Sequence, residues 1–296
     1  MGTDRAARRT SVLAVLALSF NAFVWGVSWW PLRQLEARGL HPLWATALIY
    51  LLAVAIITLA HPRAWRDLAR APSLWWLVAA AGMTNATFNW GVTIGDVVRV
   101  VLLFYLMPLW AVLLARVLLA EQLTPLAALR VVLALAGAAI VLWPADGGGW
   151  PLPRTLGEWL GLAGGFAFAL NNVLLRREAG QPDGVRALAM FLGGALVPGV
   201  LALVLGLQGQ AAWPPPAAAG WVAGALALAV VFLAGNFALQ YGAARLRASA
   251  TAVVMITEVL FASVSAVALG AGVLTSPLLL GGALIVLAAL LAARAP

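Results

Sequence analysis

The segment Thr84–Gly91 reads TNATFNWG and lies inside a long apolar stretch, although it carries two amide side chains. Asn85 and Asn89 are four residues apart, so on a helix they share one face. The later segment Gly235–Gly242, GNFALQYG, carries an Asn and a Gln at the same spacing. A shift of 151 residues maps the first segment onto the second, which predicts that the two halves of the chain are copies of one unit.

The composition is that of a polytopic membrane protein. Mean hydropathy is +0.99, 64% of the residues are apolar and only 9% are charged. The net charge of +8 comes entirely from arginines at the ends of apolar runs, which is typical of topology signals and not of nucleic-acid binding. The chain contains no cysteine, so it forms no disulfide, thiolate or cysteine-metal site, and we predict no cofactor and no metal.

Breaks at charges, prolines and glycines predict ten membrane spans. Their approximate ranges are 11–30, 43–60, 73–94, 98–119, 125–143, 155–177, 186–207, 217–243, 248–270 and 276–293. The predicted fold is an all-α membrane protein of ten transmembrane helices in two five-helix repeats, residues 1–148 and 149–296. Because each copy has an odd number of spans, the second repeat is expected to be inverted in the membrane, as in many secondary transporters.

Arginine positions predict the orientation of the chain. With the N-terminus inside, fourteen arginines fall on the cytoplasmic side and four on the outer side. We therefore expect a multi-pass protein of a bacterial-type inner membrane, with both termini in the cytoplasm.

The chain resembles the drug/metabolite transporter superfamily, in its ten-helix EamA-type branch. The residues that carry the resemblance are Trp25-Gly26, Pro108, Glu121-x-Leu123-Thr124, Gly137 and Thr257-Glu258-Val259. The resemblance covers nearly the whole chain and implies an exporter of amino acids or related metabolites, including aromatic amino acids.

Glu258 is the one acidic residue near the middle of a predicted span. A carboxylate at the bilayer centre costs at least about 2.5 kcal/mol, so Glu258 must face the bundle interior or an aqueous cavity. Two interpretations remain open. Glu258 either couples transport to a proton or binds a substrate ammonium, or it is a structural carboxyl bonded to a neighbouring helix. A shift of 151 residues places Met107 at the matching position, so packing alone does not require an acid there.

The amides allow the same two interpretations, since an amide suits both a zwitterion and a neighbouring helix. We predict that Asn85 and Asn236 are structural, because they recur at matching positions. The deeper aromatic residues could line an apolar pocket or simply pack, and Pro108 is expected to kink the fourth span. The predicted cavity residues are Asn21, Trp25, Asn89, Trp90, Tyr105, Pro108, Asn171, Gln240, Tyr241 and Glu258.

The predicted function is secondary transport of a small metabolite by alternating access through a central cavity, and the expected substrate is an amino acid. The chain has no lysine, and no arginine lies at the centre of a predicted span, which argues against phosphorylated substrates. Export of other metabolites or of cationic drugs, with Glu258 as counter-ion or proton coupler, is the alternative.

A polytopic lipid-modifying enzyme is a weaker alternative, because the sequence shows no nucleophile and base arrangement, and we predict that the protein is not an enzyme. The expected partners are a small-molecule substrate and the lipid bilayer, with no nucleic acid. The oligomeric state is open, and a monomer is compatible with the sequence.

Overall fold

The computed structural model describes residues 2–118, 124–143, 150–243, 245 and 254–293. Within these ranges, the side chains of residues 2–11, 108, 115, 219, 240, 243, 292 and 293 are not described. Glu121 and Leu123 of the family motif therefore lie outside the described residues, as do the side chains of Pro108 and Gln240.

The described residues form helices and no strand, which confirms the predicted all-α fold. In chain order the helices are α1 Gly2–Val27, α2 Trp29–Glu36, α3 Pro42–Ala60, α4 Ala64–Arg70, α5 Leu74–Ile94, α6 Val97–Phe104, α7 Met107–Leu118, α8 Pro125–Val141, α9 Leu156–Arg177, α10 Asp183–Leu207, α11 Ala219–Ala243, α12 Thr257–Ala268 and α13 Ser276–Ala293.

In this part of the chain, six helical segments are long and apolar enough to cross a membrane. They are Val12–Glu36, Pro42–Ala60, Val97–Leu118, Leu156–Arg177, Asp183–Leu207 and Gly220–Leu239. Helix α5 is long enough but is not among them, because its amides and tryptophans lower its hydropathy. The predicted total of ten spans therefore stays a prediction.

Short polar sequences set the beginnings of several helices. Thr124 accepts a hydrogen bond from the Ala127 amide at the start of α8, where Pro125 occupies the first turn. Thr155 and Glu158 form a capping box at the start of α9. Pro31 lies in the first turn of α2, where a proline is tolerated, so the first span continues beyond its predicted end at residue 30 to Glu36.

The predicted fourth span is divided into α6 and α7. Helix α6 ends at Phe104 and α7 begins at Met107, one residue before Pro108. Proline has no amide hydrogen, so the Phe104 carbonyl has no helical donor four residues later. The interruption is two residues long, Tyr105 and Leu106, and it agrees with the predicted effect of Pro108.

Glycines allow helices from the two halves of the chain to approach closely. A Cβ on Gly165 of α9 would lie 2.5 Å from the Phe104 carbonyl oxygen, and one on Gly161 would lie 2.7 Å from that of Val100. Gly161 and Gly165, four residues apart on one face of α9, therefore allow it to pack closely against α6. On α11 the packing is looser: a Cβ on Gly224 would lie 3.2 Å from a Leu35 side-chain atom, whereas the nearest atom to one on Gly220, in Arg38, would be 4.0 Å away.

Candidate functional site

The helices enclose a cavity of about 600 Å³ in the interior of the bundle. This size suits a small organic molecule. Residues from most of the long helices contribute to its wall: Asn21, Trp25, Tyr50, Ala81, Thr84, Asn85, Phe88, Phe104, Tyr105, Met107, Phe168, Asn171, Asn172, Met190, Phe191, Phe232, Asn236, Leu239, Met255, Ile256, Glu258 and Ala289.

Many lining residues occur in pairs that are 151 positions apart in the sequence. The pairs are Asn21 and Asn172, Ala81 and Phe232, Asn85 and Asn236, Phe88 and Leu239, Phe104 and Met255, Tyr105 and Ile256, and Met107 and Glu258. Equivalent positions of the two halves thus contribute to one wall, although the side chains at those positions mostly differ.

Glu258 supplies the acidic group of the cavity. It lies in the first turn of α12, where the helix dipole favours a negative charge, and it is 7% exposed. The Tyr105 hydroxyl lies 3.0 Å from Glu258 Oε2 and 3.2 Å from the Met255 carbonyl oxygen, so it can donate to either. Tyr105 thereby connects the break between α6 and α7 to the start of α12 across the two halves.

Close packing of α1 on α12 brings the backbone of Glu258 next to Gly26, the residue that follows Trp25. A Cβ on Gly26 would lie 2.8 Å from the Glu258 carbonyl oxygen and 2.7 Å from the Phe261 side chain. Only glycine fits at this contact without a shift of the backbone. The Trp29 indole also donates to Ser265 of α12, at 2.9 Å. Trp25 therefore contributes an aromatic ring to the cavity wall, and Gly26 allows α1 to pack closely on α12.

Two buried amides in the cavity wall have oxygen atoms without a protein partner. Asn21 is 1% exposed, and its Nδ2 donates to the Gly235 carbonyl oxygen at 2.8 Å. A carbonyl cannot donate, so this bond fixes the orientation of the amide, and Asn21 Oδ1 remains unpartnered. Asn171, 3% exposed, likewise has an unpartnered Oδ1. A buried polar group left in this state costs about 1–3 kcal/mol. Both oxygen atoms are themselves inaccessible to solvent, so the open space of the cavity does not reach them.

Other polar groups of the wall already donate to the protein. The Tyr50 hydroxyl donates to Asn85 Oδ1, and Asn85 Nδ2 donates to the Ala81 carbonyl oxygen at 2.8 Å. The Thr84 hydroxyl donates to the Ala80 carbonyl oxygen at 2.8 Å. These bonds direct donors towards the helices and away from the cavity space.

Aromatic rings form the apolar part of the wall. Trp25 and Phe232 are stacked, with ring centroids 4.8 Å apart and an interplanar angle of 18°. Phe104 packs against Phe88 at 4.8 Å and against Phe168 at 5.3 Å. Such faces accommodate apolar groups and also attract cations.

The structure brings together some of the predicted cavity residues. Asn21, Trp25, Tyr105, Asn171 and Glu258 all line the cavity. The two amides that were assigned a structural role, Asn85 and Asn236, also line it.

Other predicted cavity residues lie elsewhere. Asn89 is fully buried and donates to Thr46 Oγ1 at 3.1 Å, while Trp90 packs edge-on against His41. The Tyr241 ring lies 3.7 Å from the Arg245 guanidinium. None of these three belongs to the described lining. The side chains of Pro108 and Gln240 lie outside the described residues.

Sequence reasoning missed several lining aromatics, among them Tyr50, Phe168, Phe191 and Phe232. No polar neighbour distinguishes them from ordinary packing residues. The 151-residue shift could have suggested Phe232 and Leu239, because their counterparts lie in and beside the segment that shows the duplication.

One end of the bundle is tightly packed. Here α5 ends and α6 and α9 begin, and a Cβ on Gly157 would lie 2.8 Å from Gly95 Cα. Arg99 Nη1 pairs with Glu158 Oε1 at 2.8 Å and joins α6 to α9. Arg33 of α2 donates to the carbonyl oxygens of Thr93 and Gly95. These contacts join both halves of the chain about two turns from the cavity residues Phe88 and Phe104.

The chemistry of the wall fits binding of a solute more than catalysis. The described lining contains one acid and no arginine or histidine. Within the described ranges, no group of three or more His, Asp or Glu side chains could hold a metal ion.

A helical membrane bundle around such a cavity has the architecture of a small-molecule transporter, and comparisons with known proteins support that class. Residues 12–143 match the EamA-like transporter family. An uncharacterized transporter of Pseudomonas aeruginosa is 37% identical over 95 residues, which are 31% of this chain and 32% of that protein. The chloramphenicol-sensitive protein RarD of the same organism is 32% identical over 170 residues, which are 55% of this chain and 51% of RarD.

The chain thus spans about a third to a half of the length of these two relatives. The alignment with one solved crystal structure covers 97% of this chain and 96% of the other chain, with a TM-score of 0.52 and 20% identity. At this identity the similarity supports the fold alone. The resemblance to EamA-like transporters of the drug/metabolite transporter superfamily is therefore supported, whereas the amino-acid exporter branch stays a prediction.

Proposed function

We propose that the protein is a secondary transporter that exports small metabolites bearing an amino group, amino acids or related compounds, across the inner membrane. The observation that carries the proposal is the interior cavity with one carboxyl group, buried amides and aromatic walls. An ammonium group can bind Glu258, while the aromatic rings receive an apolar side chain.

The proposed mechanism is alternating access between two inverted repeats, residues 1–148 and 149–296. Its first support is the direction of equivalent helices. A Cβ on Gly194 of α10 would meet Tyr50 of α3, and one on Gly199 would lie 3.6 Å from Ala47, so α3 and α10 run antiparallel. Copies with the same orientation in a membrane would have parallel equivalents, whereas inverted copies have antiparallel ones.

Helices α8 and α13 give the second support. A Cβ on Gly137 would lie 2.7 Å from Ile285 Cγ1, and one on Gly281 would lie 2.7 Å from Val141 Cγ2. The contacts are reciprocal and the helices again run antiparallel. Together with the lining pairs 151 residues apart, they favour a cavity at the axis between two related halves.

The deciding experiment is solute counterflow in proteoliposomes that contain the purified protein. A panel of labelled amino acids and related amines is tested against liposomes without protein. We expect exchange of at least one solute, and its loss in Glu258→Gln. Glu36→Gln is the matched control, since Glu36 is exposed at the end of α2 and outside the cavity. A panel without any exchange would refute the proposal.

Proton coupling through Glu258 is a separate part of the proposal. If Glu258 exchanges a proton for the solute, an imposed pH gradient should drive uptake by the wild-type protein and not by Glu258→Gln. Equal dependence of both proteins on the gradient would exclude Glu258 as the coupling residue.

Export of cationic drugs is the second candidate. The observation that favours it is the same Glu258, which shares the cavity wall with the stacked rings of Trp25 and Phe232, and the described part of this wall contains no basic side chain. Drug transport that Glu258→Gln abolishes, in the absence of amino-acid exchange, would support this candidate over the first.

A further inference from the structure

The cavity lies nearer to one end of α9 and α10 than to the other. On α9 its lining residues begin at Phe168, twelve residues or about 18 Å after the start of the helix, and end at Asn172, five residues before its end. On α10 they are Met190 and Phe191, which follow the start of the helix by seven and eight residues and leave sixteen residues to its end. Helix α9 runs antiparallel and α10 parallel to α5. The cavity is therefore displaced towards the end at which α9 ends and α10 begins, which the arginines predict to be cytoplasmic.

The part of α9 between its start and the cavity is in contact with α5. A Cβ on Gly164 would lie 3.0 Å from Thr87 Oγ1, one on Gly91 would lie 3.5 Å from the Gly157 carbonyl oxygen, and one on Gly157 would lie 2.8 Å from Gly95 Cα. Thr87 and Gly95 are eight residues apart, so the contact extends over about two helical turns. A solute can pass between α5 and α9 at this end only if the two helices separate.

An ion pair joins the start of α9 to α6. Arg99 Nη1 lies 2.8 Å from Glu158 Oε1. Glu158 Oε2 accepts from the backbone amides of Arg154 at 2.6 Å and Thr155 at 3.2 Å, so both carboxylate oxygens have partners, and Glu158 is only 6% exposed. Movement of α6 away from α9 would leave this buried carboxylate without its counter-charge. Because the Arg99 side chain is 37% exposed, water replaces part of the lost contact and the contribution of the pair is modest.

Arg33 of α2 holds the end of α5 at the same place. Its Nε donates to the Thr93 carbonyl oxygen at 2.8 Å, and its Nη2 donates to that of Gly95. Carbonyl groups at the end of a helix lack helical donors, and a cation is favoured there by the helix dipole. Arg33 thus attaches the end of α5 to the continuation of the first span.

The matching positions of the other half cannot form these contacts. A shift of 151 residues pairs Arg33 with Gly184, Arg99 with Ala250 and Glu158 with Ala7. None of these three counterparts carries a charge. Two inverted copies with identical contacts would open equally readily at either end. Charged contacts at one end alone shift the balance towards the state in which that end is closed.

We infer that Arg33, Arg99 and Glu158 form an outer lock, which makes the inward-facing state, with the cavity accessible from the cytoplasm, the resting state of the protein. The inference rests on the proposed alternating access and on the predicted orientation. It adds to them the preferred state and the contacts that determine it. In each transport cycle the outer lock must break so that α5 and α9 separate at their outer ends.

A single cysteine in the cavity wall reports which end is open, because the chain has no cysteine of its own. Asn172 lines the cavity and is exposed, so Asn172→Cys serves as the reporter. Its reaction with a membrane-impermeant methanethiosulfonate is timed in intact cells, where the reagent arrives from outside, and in inside-out vesicles, where it arrives from the cytoplasmic side. We expect the reaction in vesicles to be at least about tenfold faster, because the outward-facing state is the minor one.

Variants of the outer lock are made in the reporter protein. Glu158→Gln and Arg99→Gln should each raise the rate from outside about threefold, since each removes one partly exposed ion pair. Glutamine also completes a capping box, so Glu158→Gln keeps the start of α9. Asp183→Asn is the matched control, because the Asp183–Arg186 pair lies within α10 and joins no two helices, and it should leave both rates unchanged. Melting curves identify the folded variants, and if Glu158→Gln does not fold, Arg99→Gln decides.

Three results would overturn the inference: equal rates from both sides in the reporter protein, a faster reaction from outside, or an outside rate that stays unchanged in a folded lock variant. In each case, solute exchange by the wild-type protein in the counterflow assay would leave the proposed transport function standing. A lack of all exchange would refute the proposed function, whereas the reporter rates would still decide whether the outer lock exists.

Discussion

Asn85 and Asn89 are one helical turn apart and share a helix face, but their surroundings differ. Asn85 lies in the cavity wall, and its Oδ1 accepts a hydrogen bond from the Tyr50 hydroxyl. Asn89 is fully buried and donates to Thr46 of α3, away from the described lining. At the scale of single residues, i and i+4 spacing predicts a shared face, but a neighbouring helix decides whether each position meets protein or open space.

This difference predicts that Asn89→Ala and Asn85→Ala change different quantities, the free energy of unfolding and the KM of an exchanged solute. Asn89→Ala should lower the free energy of unfolding by about 1 kcal/mol, because it removes an interhelical hydrogen bond, and it should leave the KM of an exchanged solute unchanged. Asn85→Ala should raise that KM about fivefold, equivalent to about 1 kcal/mol, because it changes the wall and releases Tyr50. Melting curves and counterflow measure the two effects. A larger KM change in Asn89→Ala than in Asn85→Ala would contradict the assignment.

His41 predicts a pH dependence outside the membrane-spanning segments. Its Nδ1 accepts the Leu43 amide at 3.2 Å and caps α3, and burial lowers its pKa below the usual value of 6.5. Below pH 6.5, His41 takes up a proton more readily in the unfolded chain than in the folded protein, because burial disfavours the charged imidazolium. The stability contribution of this group is therefore present above pH 6.5 and decreases as the pH falls through the folded pKa.

Melting temperatures measured from pH 7.5 to pH 5 test this prediction. The wild-type melting temperature should fall towards low pH by more than that of His41→Asn. Asparagine is a good helix cap that does not titrate, so this variant keeps the cap and removes the proton uptake. Identical pH profiles for the two proteins would show that His41 makes no such contribution.

At the scale of helices, the crossing of α8 and α13 depends on two glycines. A Cβ on Gly137 would lie 2.6 Å from the Gly281 carbonyl oxygen, and one on Gly281 would lie 2.6 Å from that of Gly137. Gly137→Val should therefore force the helices apart and lower the free energy of unfolding by about 1–3 kcal/mol. The measurement is denaturant or thermal unfolding in detergent.

Gly180 provides the matched control for this substitution. A Cβ at Gly180 would meet no atom within 4 Å, so Gly180→Val should change stability by less than about 0.5 kcal/mol. If both variants lost the same stability, the effect would come from glycine replacement in general and not from the crossing.

The helices also show which features of the fold can be predicted from the sequence. Apolar length and breaks at charges, prolines and glycines predicted α3, α5, α8 and α9 to within one or two residues, because these signals are local. The short helix α4 and the exact position of the interruption between α6 and α7 were not predicted. Pro108 indicated a disturbance, but its extent depends on α9, whose Gly165 packs against the carbonyl of Phe104. Such tertiary contacts leave no local pattern.

The sequence also predicted part of the candidate site but not how its residues pair. A carboxyl group in an apolar span is costly wherever it lies, so Glu258 was recognisable from the sequence alone. Its partner Tyr105 is 153 residues away, and the stacking of Trp25 on Phe232 joins residues from the two halves of the chain. These pairings follow from how the halves pack together, which the sequence of either half does not specify.

At the scale of the whole molecule, the number and direction of spans decide how the cavity is reached. Six helical segments of the described chain are long and apolar enough to span alone, whereas the predicted repeats give ten spans. In a ten-span arrangement α5, α8, α12 and α13 also cross, supported by packing on their neighbours, because α5 is less apolar than the six segments and the other three helices are shorter. Glycines on α5 and α10 show such packing, since a Cβ on Gly82 would contact the Gly193 carbonyl oxygen and the Val197 side chain.

Single cysteines can distinguish the two arrangements, because the chain has no cysteine of its own. Ala69, Gln210 and Ser276 are all exposed. With the N-terminus inside, both arrangements place Ala69 in the cytoplasm and Gln210 outside. They differ at Ser276, which is outside in the ten-span arrangement and inside if only the six segments cross.

In intact cells, a membrane-impermeant maleimide should label Gln210→Cys and Ser276→Cys, and it should label Ala69→Cys only after lysis. Protection of Ser276→Cys in intact cells would exclude ten spans, and labelling of Ala69→Cys with protection of Gln210→Cys would reverse the orientation predicted from the arginines.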